Sequence, residues 1–137
     1  MRCCKIMMQT IRVTTHRKTE FVEITPAVEA VVSRLGVAEG LCTLYCPHTT
    51  AGLMINERAD PAVVHDIDSF LEELVPERRA WTHAEGNSPA HVKAAFIGGS
   101  VQILIEGGKL CLGTWQGIFL AEFDGPRERK IWLRIAS

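Results

Sequence analysis

Val101-Gln102-Ile103-Leu104-Ile105, Gly107-Gly108, Leu110-Cys111-Leu112-Gly113-Thr114, Ile118-Phe119-Leu120-Ala121-Glu122-Phe123, Asp124-Gly125-Pro126, Ile131-Trp132-Leu133-Arg134-Ile135: the last third of the chain is a run of short apolar segments punctuated by turn formers. Segments of this length, rich in β-branched and aromatic residues, read as strands. Following one another with only turns between them, they predict a β-meander as the C-terminal third.

Upstream the period changes. Ser88-Pro89 opens a short helix through about Ala95, and Asp60-Pro61 opens a longer one whose stripe Val64, Ile67, Leu71 and Leu74 runs toward Pro76. Thr25 as N-cap, with Pro26 at the first helical position, opens another carrying Val28, Val31, Val32 and Leu35, and Gly36 ends it in the left-handed conformation. Leu41 to Cys46 reads as a strand, Pro47-His48-Thr49-Thr50-Ala51-Gly52 breaks it, and Leu53-Met54-Ile55 resumes an extended run. Ile11 and Val13, followed after the polar turn His16-Arg17-Lys18 by Phe21-Val22-Glu23-Ile24, read as a two-stranded hairpin. Two strand-rich parts with helices between them, lacking regular strand-helix alternation, predict an α+β fold: a compact single domain of packed antiparallel or mixed β-sheets with two or three helices.

At 137 residues and 47% hydrophobic composition, the chain suits one domain, residues 1–137, burying roughly 68–70% of its unfolded surface without staples. Lys and Arg are scattered and the formal net charge is −1, so neither nucleic acid nor an anionic membrane surface is an expected partner. The run Met1 to Met8 turns polar at Gln9, too soon for the apolar part of a signal peptide, and no later stretch approaches the ~18 apolar residues of a membrane span. A cytoplasmic location is expected. The five cysteines, Cys3, Cys4, Cys42, Cys46 and Cys111, lack the paired spacings of a zinc knuckle or a disulfide framework. On a strand Cys42 and Cys46 would share a face yet lie ~13 Å apart, too far for a disulfide, so they read as small buried apolar residues.

His48, His83 and His91 fall in loops or at a helix start, among polar neighbours. His83 and His91 are eight residues apart and His48 is far upstream, so a shared metal or ligand site requires the fold to bring them together. His16, in a turn, and His65, on a helix face, read as solvated. Ser88-Pro89 offers free N–H groups and the positive end of a helix dipole, with His91 and Lys93 close by; an anionic group would dock there, although an ordinary cap uses the same residues. In Asn56-Glu57-Arg58-Ala59-Asp60, Asp60 is the N-cap and Glu57 is a general base or metal-linked carboxylate, or else simply the ion-pair partner of Arg58. Glycines flank the aromatic-amide pair of Gly113-Thr114-Trp115-Gln116-Gly117; Trp115 either stacks on a flat ligand or packs in the core, with Gln116 bonding a nearby backbone group. Glu122-Phe123-Asp124-Gly125-Pro126-Arg127 puts two carboxylates and an arginine around a turn and reads as solvated.

Taken in order, Pro47-His48-Thr49-Thr50-Ala51, Ile55-Asn56-Glu57 with Ala59-Asp60-Pro61, His83 with Gly86-Asn87-Ser88-Pro89-Ala90-His91-Val92-Lys93-Ala94, Leu112-Gly113-Thr114-Trp115-Gln116-Gly117-Ile118 and Glu122-Phe123-Asp124-Gly125-Pro126-Arg127 resemble the YjbQ-like family, also called the secondary thiamine-phosphate synthase family. The resemblance runs from Gln9 onward, leaves Met1 to Met8 without a role, and is most specific at Gly113-Thr114-Trp115-Gln116. Thr50 stands where serine is frequent, Gly52 where alanine is, and Ile103-Leu104-Ile105 lacks the usual central proline. It implies a compact α+β fold, a homotrimer, and a polar histidine-containing pocket in which some members hold a metal ion or an anion. The activity it implies is a weak or secondary thiamine-phosphate synthase, joining a hydroxymethylpyrimidine diphosphate to a thiazole phosphate with loss of pyrophosphate.

On that basis His48, His83 and His91 are the expected ligands of a divalent metal ion, zinc or magnesium, and no organic cofactor is expected. Glu57, His83 and Asn56 are the expected catalytic residues. Thr49, Thr50, Asn87, Ser88, Trp115, Gln116 and Arg127 are the expected contacts to a small phosphorylated or anionic metabolite. Two other classes use the same residues: a non-catalytic phosphometabolite-binding or regulatory trimer, and a metal-dependent hydrolase in which Glu57 or Asp60 activates a metal-bound water.

Overall fold

A computed structural model describes residues 7–137, so Cys3 and Cys4 lie outside the described residues. In chain order the elements are β1 (Gln9–Thr14), β2 (Glu20–Glu23), α1 (Thr25–Leu35), β3 (Gly40–Tyr45), β4 (Ala51–Glu57), α2 (Pro61–Leu74), α3 (Ser88–Ile97), β5 (Ser100–Glu106), β6 (Lys109–Leu110), β7 (Gln116–Glu122) and β8 (Glu128–Ala136). They form two antiparallel sheets, one in the order β1-β8-β3-β5-β6 and one in the order β2-β7-β4. The α+β class is as the sequence predicts. None of the helices among the described residues is long and apolar enough to cross a membrane.

Two local expectations are corrected. β5 and β6 do form a hairpin through Gly107 and Gly108, whose φ angles of 58° and 76° suit a tight turn closed by glycine. The C-terminal third is nevertheless not a meander, because β7 crosses to the second sheet and β8 returns to lie between β1 and β3. Burial explains the split. From Gly117 to Glu122 every residue of β7 is buried, so this strand needs cover on both faces, whereas β8 alternates, with Arg129, Ile131, Leu133 and Ile135 inward. The N-terminal hairpin likewise does not form: β1 pairs with β8 and β2 with β7. The segment between them is tied instead to the 124–127 turn, by Thr15 N–H to Arg127 O at 2.9 Å and Gly125 N–H to Lys18 O at 3.0 Å.

One face of β7 packs through Ile118 and Leu120 into the main core, shared with Ile11, Val28, Leu44, Leu53 and Leu133. Its other face presents Ala121 to a second cluster, with Phe123, Leu71 of α2 and Ala90 and Ala94 of α3. The middle sheet is thus sandwiched between the first sheet with α1 and the pair α2–α3.

Two helix starts differ in kind. Asp60 caps α2 as expected, accepting from Ala62 N–H at 2.9 Å. Thr25 is not the N-cap of α1: Ile24 occupies that position, and Thr25 Oγ1 instead accepts the N–H of Ile118 at 2.8 Å inside the core. Gly36 ends α1 at φ 66°, as read from the sequence. Thr25→Val, which keeps the shape but removes the acceptor, is expected to lower stability by about 1–3 kcal/mol because it strands a buried N–H. Thr25→Ser should retain most of that. Equal urea midpoints for the two variants would show that the hydrogen bond carries nothing.

Candidate functional site

β7 and β8 organise the polar residues. Arg129 belongs to the inward row of β8 and Glu122 closes β7, so the two meet between the sheets, both essentially removed from solvent. Arg129 Nε donates to Glu122 Oε2 at 2.7 Å, and its Nη2 donates to Glu122 Oε1 and to Thr50 Oγ1, the latter at 2.8 Å. Glu122 also accepts from Asp124 N–H at 2.9 Å and from the Thr15 hydroxyl at 3.0 Å. Burial acts to raise the Glu122 carboxyl, but the Arg129 guanidinium and these donors outweigh it and hold the group below the usual carboxylate range. Sequence alone reads Glu122 as solvated and assigns Arg129 no role; the structure buries both. The available signal was the lone arginine in the apolar row Ile131, Leu133, Ile135.

The network continues to α3. Asp124 Oδ2 accepts from Asn87 Nδ2 at 3.0 Å and from Arg127 Nη2 at 3.1 Å, so Asn87 spends its amide on the turn and leaves α3 without a side-chain cap. Asn87 Oδ1 is buried with no partner among the described residues. Beyond it lies an open groove of about 300 Å³, lined by Trp81, Thr82, His83, Ser88, His91 and Val92. His83 and His91 meet edge to face with ring centroids 5.2 Å apart. Ser88 is 8% exposed and lines this groove. Lys93, expected beside this anion site, turns away: it lies on the inner face of α3 with Ala90 and Ala94, and its ammonium is buried against Glu72 Oε1 at 2.6 Å. A hollow of about 440 Å³ between α1 and the β5–β6 turn contains none of the candidate residues.

His48 sits apart from the histidine pair. Its Nε2 accepts the Lys130 N–H at 3.0 Å, which places its proton on Nδ1, and burial followed by the charge of Arg129 pushes it below the usual imidazole range. Among the described residues no three His, Cys, Asp or Glu side chains lie close enough to hold a metal ion. The expected His48, His83 and His91 ligand set therefore does not fit a metal within one copy of the chain, and Asp60 is engaged as a cap. Thr50 is a buried partner of Arg129, not a surface contact, while Thr49 is exposed.

The remaining candidates stand elsewhere. In the β4–β7 register Ala51 faces Glu122 while Glu57 faces Gln116, so Asn56, Glu57, Trp115 and Gln116 lie about 20 Å along the sheet from the buried pair at ~3.3 Å per residue. Asn56 Oδ1 accepts from Glu57 N–H at 2.8 Å, and Gln116 Oε1 from Gly113 N–H at 2.8 Å. Glu57 does not pair with Arg58, which reaches Glu23 at 3.8 Å.

The family profile described as UPF0047 protein YjbQ-like matches residues 9–137. The chain belongs to the YjbQ-like UPF0047 family. A UPF0047 protein of Methanocaldococcus jannaschii is 49% identical over 129 residues, 94% of each chain. The UPF0047 protein YugU of Bacillus subtilis is 43% identical over 130 residues, 94% of this chain and 98% of that one. Among solved structures, the YjbQ/UPF0047 protein of Clostridium acetobutylicum superposes with a TM-score of 0.91 at 48% identity, covering 93% of this chain and 99% of that one. A hypothetical protein of Aeropyrum pernix reaches 0.91 at 38% identity, over 96% and 99%. Both fold and membership of the YjbQ-like family are thereby secured for the stretch that carries the sequence motifs.

The cysteines complete the picture for this YjbQ-like chain. Cys42 and Cys46 are free and buried as expected, and burial raises the Cys42 thiol to about 11, whereas Cys111 is exposed. With so raised a value, Cys42 carries almost no thiolate at neutral pH.

Proposed function

We propose that this protein binds a phosphorylated small metabolite in the groove at the start of α3, as an enzyme of the thiamine-phosphate synthase type. The observation that carries the reading is the conjunction at one helix start: an N-terminus without a side-chain cap, Ser88 lining the groove beside it, and the His83–His91 pair. Backbone N–H groups and the helix dipole favour an anion there, and imidazoles supply further donors. Release of pyrophosphate from a hydroxymethylpyrimidine diphosphate chiefly requires such stabilisation of developing negative charge. A homotrimeric, cytoplasmic protein is part of the proposal.

Calorimetric titration with pyrophosphate is the test. Wild-type protein should bind, and His83→Ala/His91→Ala should bind at least about tenfold more weakly, the loss of charge-assisted donors. Absence of binding to wild type would end the reading. Binding without thiamine phosphate formed from the two precursors above background would leave a phosphometabolite-binding protein without turnover. Metal content of protein purified without chelator or histidine tag addresses zinc and magnesium: near-stoichiometric metal lost in the double variant would require ligands from more than one copy, since one copy supplies only two of the three histidines at this place.

A further inference from the structure

Trp115 is 62% exposed although its backbone is firmly held. Its carbonyl accepts the Arg58 N–H at 2.9 Å, and the turn before it is closed by Gln116 N–H to Gly113 O at 3.0 Å and Gly113 N–H to Gln116 Oε1 at 2.8 Å. A Cβ on Gly117 would stand 2.7 Å from Cβ of Arg58, so the strand end and residue 58 are in direct contact. An exposed indole on a backbone already fixed has little ordering entropy left to lose, the property of an interface anchor. Beside it the half-buried carboxylate of Glu57 has no hydrogen-bond or ion-pair partner among the described residues, because Arg58 is turned to Glu23.

At the other end of the same sheet the groove is a hole for such a knob. Its volume of about 300 Å³ has room for one aromatic side chain; His83 and His91 offer ring N–H donors, the Arg79 guanidinium lies 4.8 Å from the ring of Trp81, and the Glu85 carboxylate stands 3.7 Å from His83 Nε2, where a second carboxylate would compete with it. The indole cannot enter the groove of its own chain, since about 20 Å of strand separates them. Every copy carries both features: exchanged reciprocally they close a two-fold dimer, and passed head-to-tail they build a ring where the rotation closes.

We propose that Trp115 and Glu57 of one copy enter the His83–His91 groove of a second copy, so that each site is built from two chains. This rests on reading that groove as the anion site, which in one chain lacks the Gly113–Gly117 turn and Glu57 and has the exposed Glu85 carboxylate 3.7 Å from His83 Nε2. The second copy supplies the turn and Glu57, next to the bound anion.

The test replaces Trp115 by the photo-crosslinking residue p-benzoylphenylalanine in a mixture of unlabelled and ¹⁵N-labelled chains, irradiated and read by mass spectrometry. Cross-links from position 115 to the segment 81–92, with mixed-isotope peptides, are expected. Links confined to one chain, links only to other surfaces, or a wild-type mass of a single copy by light scattering would overturn the proposal. Independently, Glu57→Lys sets a cation against the groove and should weaken self-association by about tenfold, with circular dichroism unchanged; an unaltered mass-concentration profile would count against it. Failure of wild type to bind pyrophosphate, with the cross-links present, would remove the anion reading and leave the shared interface standing.

Discussion

Arg129→Met is expected to lower the stability of the folded chain at pH 7 by about 3–5 kcal/mol, read as urea midpoint at fixed protein concentration, because it leaves the Glu122 carboxylate buried and uncompensated. The retained hydrogen bonds from Thr15 and Asp124 are not a substitute for the lost cation. The pH dependence gives the sign. In the parent, Glu122 titrates below its unfolded value of 4.5, so its stabilisation is present above that pH and is lost as pH falls through the lower folded value. In the variant the balance inverts: burial, opposed now only by the Thr15 and Asp124 donors, raises the carboxyl, and the penalty grows as pH rises through the raised value. The deficit of Arg129→Met should therefore shrink between pH 7 and pH 4. A deficit independent of pH would mean that lost packing, not an orphaned charge, is responsible. Glu122→Leu/Arg129→Met, which removes both charges, should recover much of the loss.

Leu120→Ala is expected to cost about 2–5 kcal/mol. Leu120 is fully buried at the centre of β7, opposite Val22 of β2 and Leu53 of β4, and its side chain fills the space between the sheets. Leu104→Ala on the outer face of β5, where the leucine is 64% exposed, should change stability by no more than about 0.5 kcal/mol. Similar losses at the two positions would contradict the assignment of inner and outer faces.

What the sequence determined by itself was local and periodic. The helix starts at Asp60 and Ser88, the left-handed Gly36, the Gly107-Gly108 hairpin and the α+β class follow from caps, turn formers and apolar spacing, which act over a few residues. The motif blocks identified the family, since their order along the chain is itself sequence information. Which strands pair was decided only in three dimensions, where the continuous apolar run of β7 demanded cover on both faces and the alternation of β8 did not. The same step buried Arg129 against Glu122, turned Lys93 from the anion site toward Glu72, joined His83 to His91 and left His48 on the Lys130 backbone. It also placed Glu57 and Trp115 at the far end of the sheet from those histidines. Proximity between residues dozens of positions apart depends on which surfaces must be hidden from water, and that is settled by the packing of whole elements, not by any one of them.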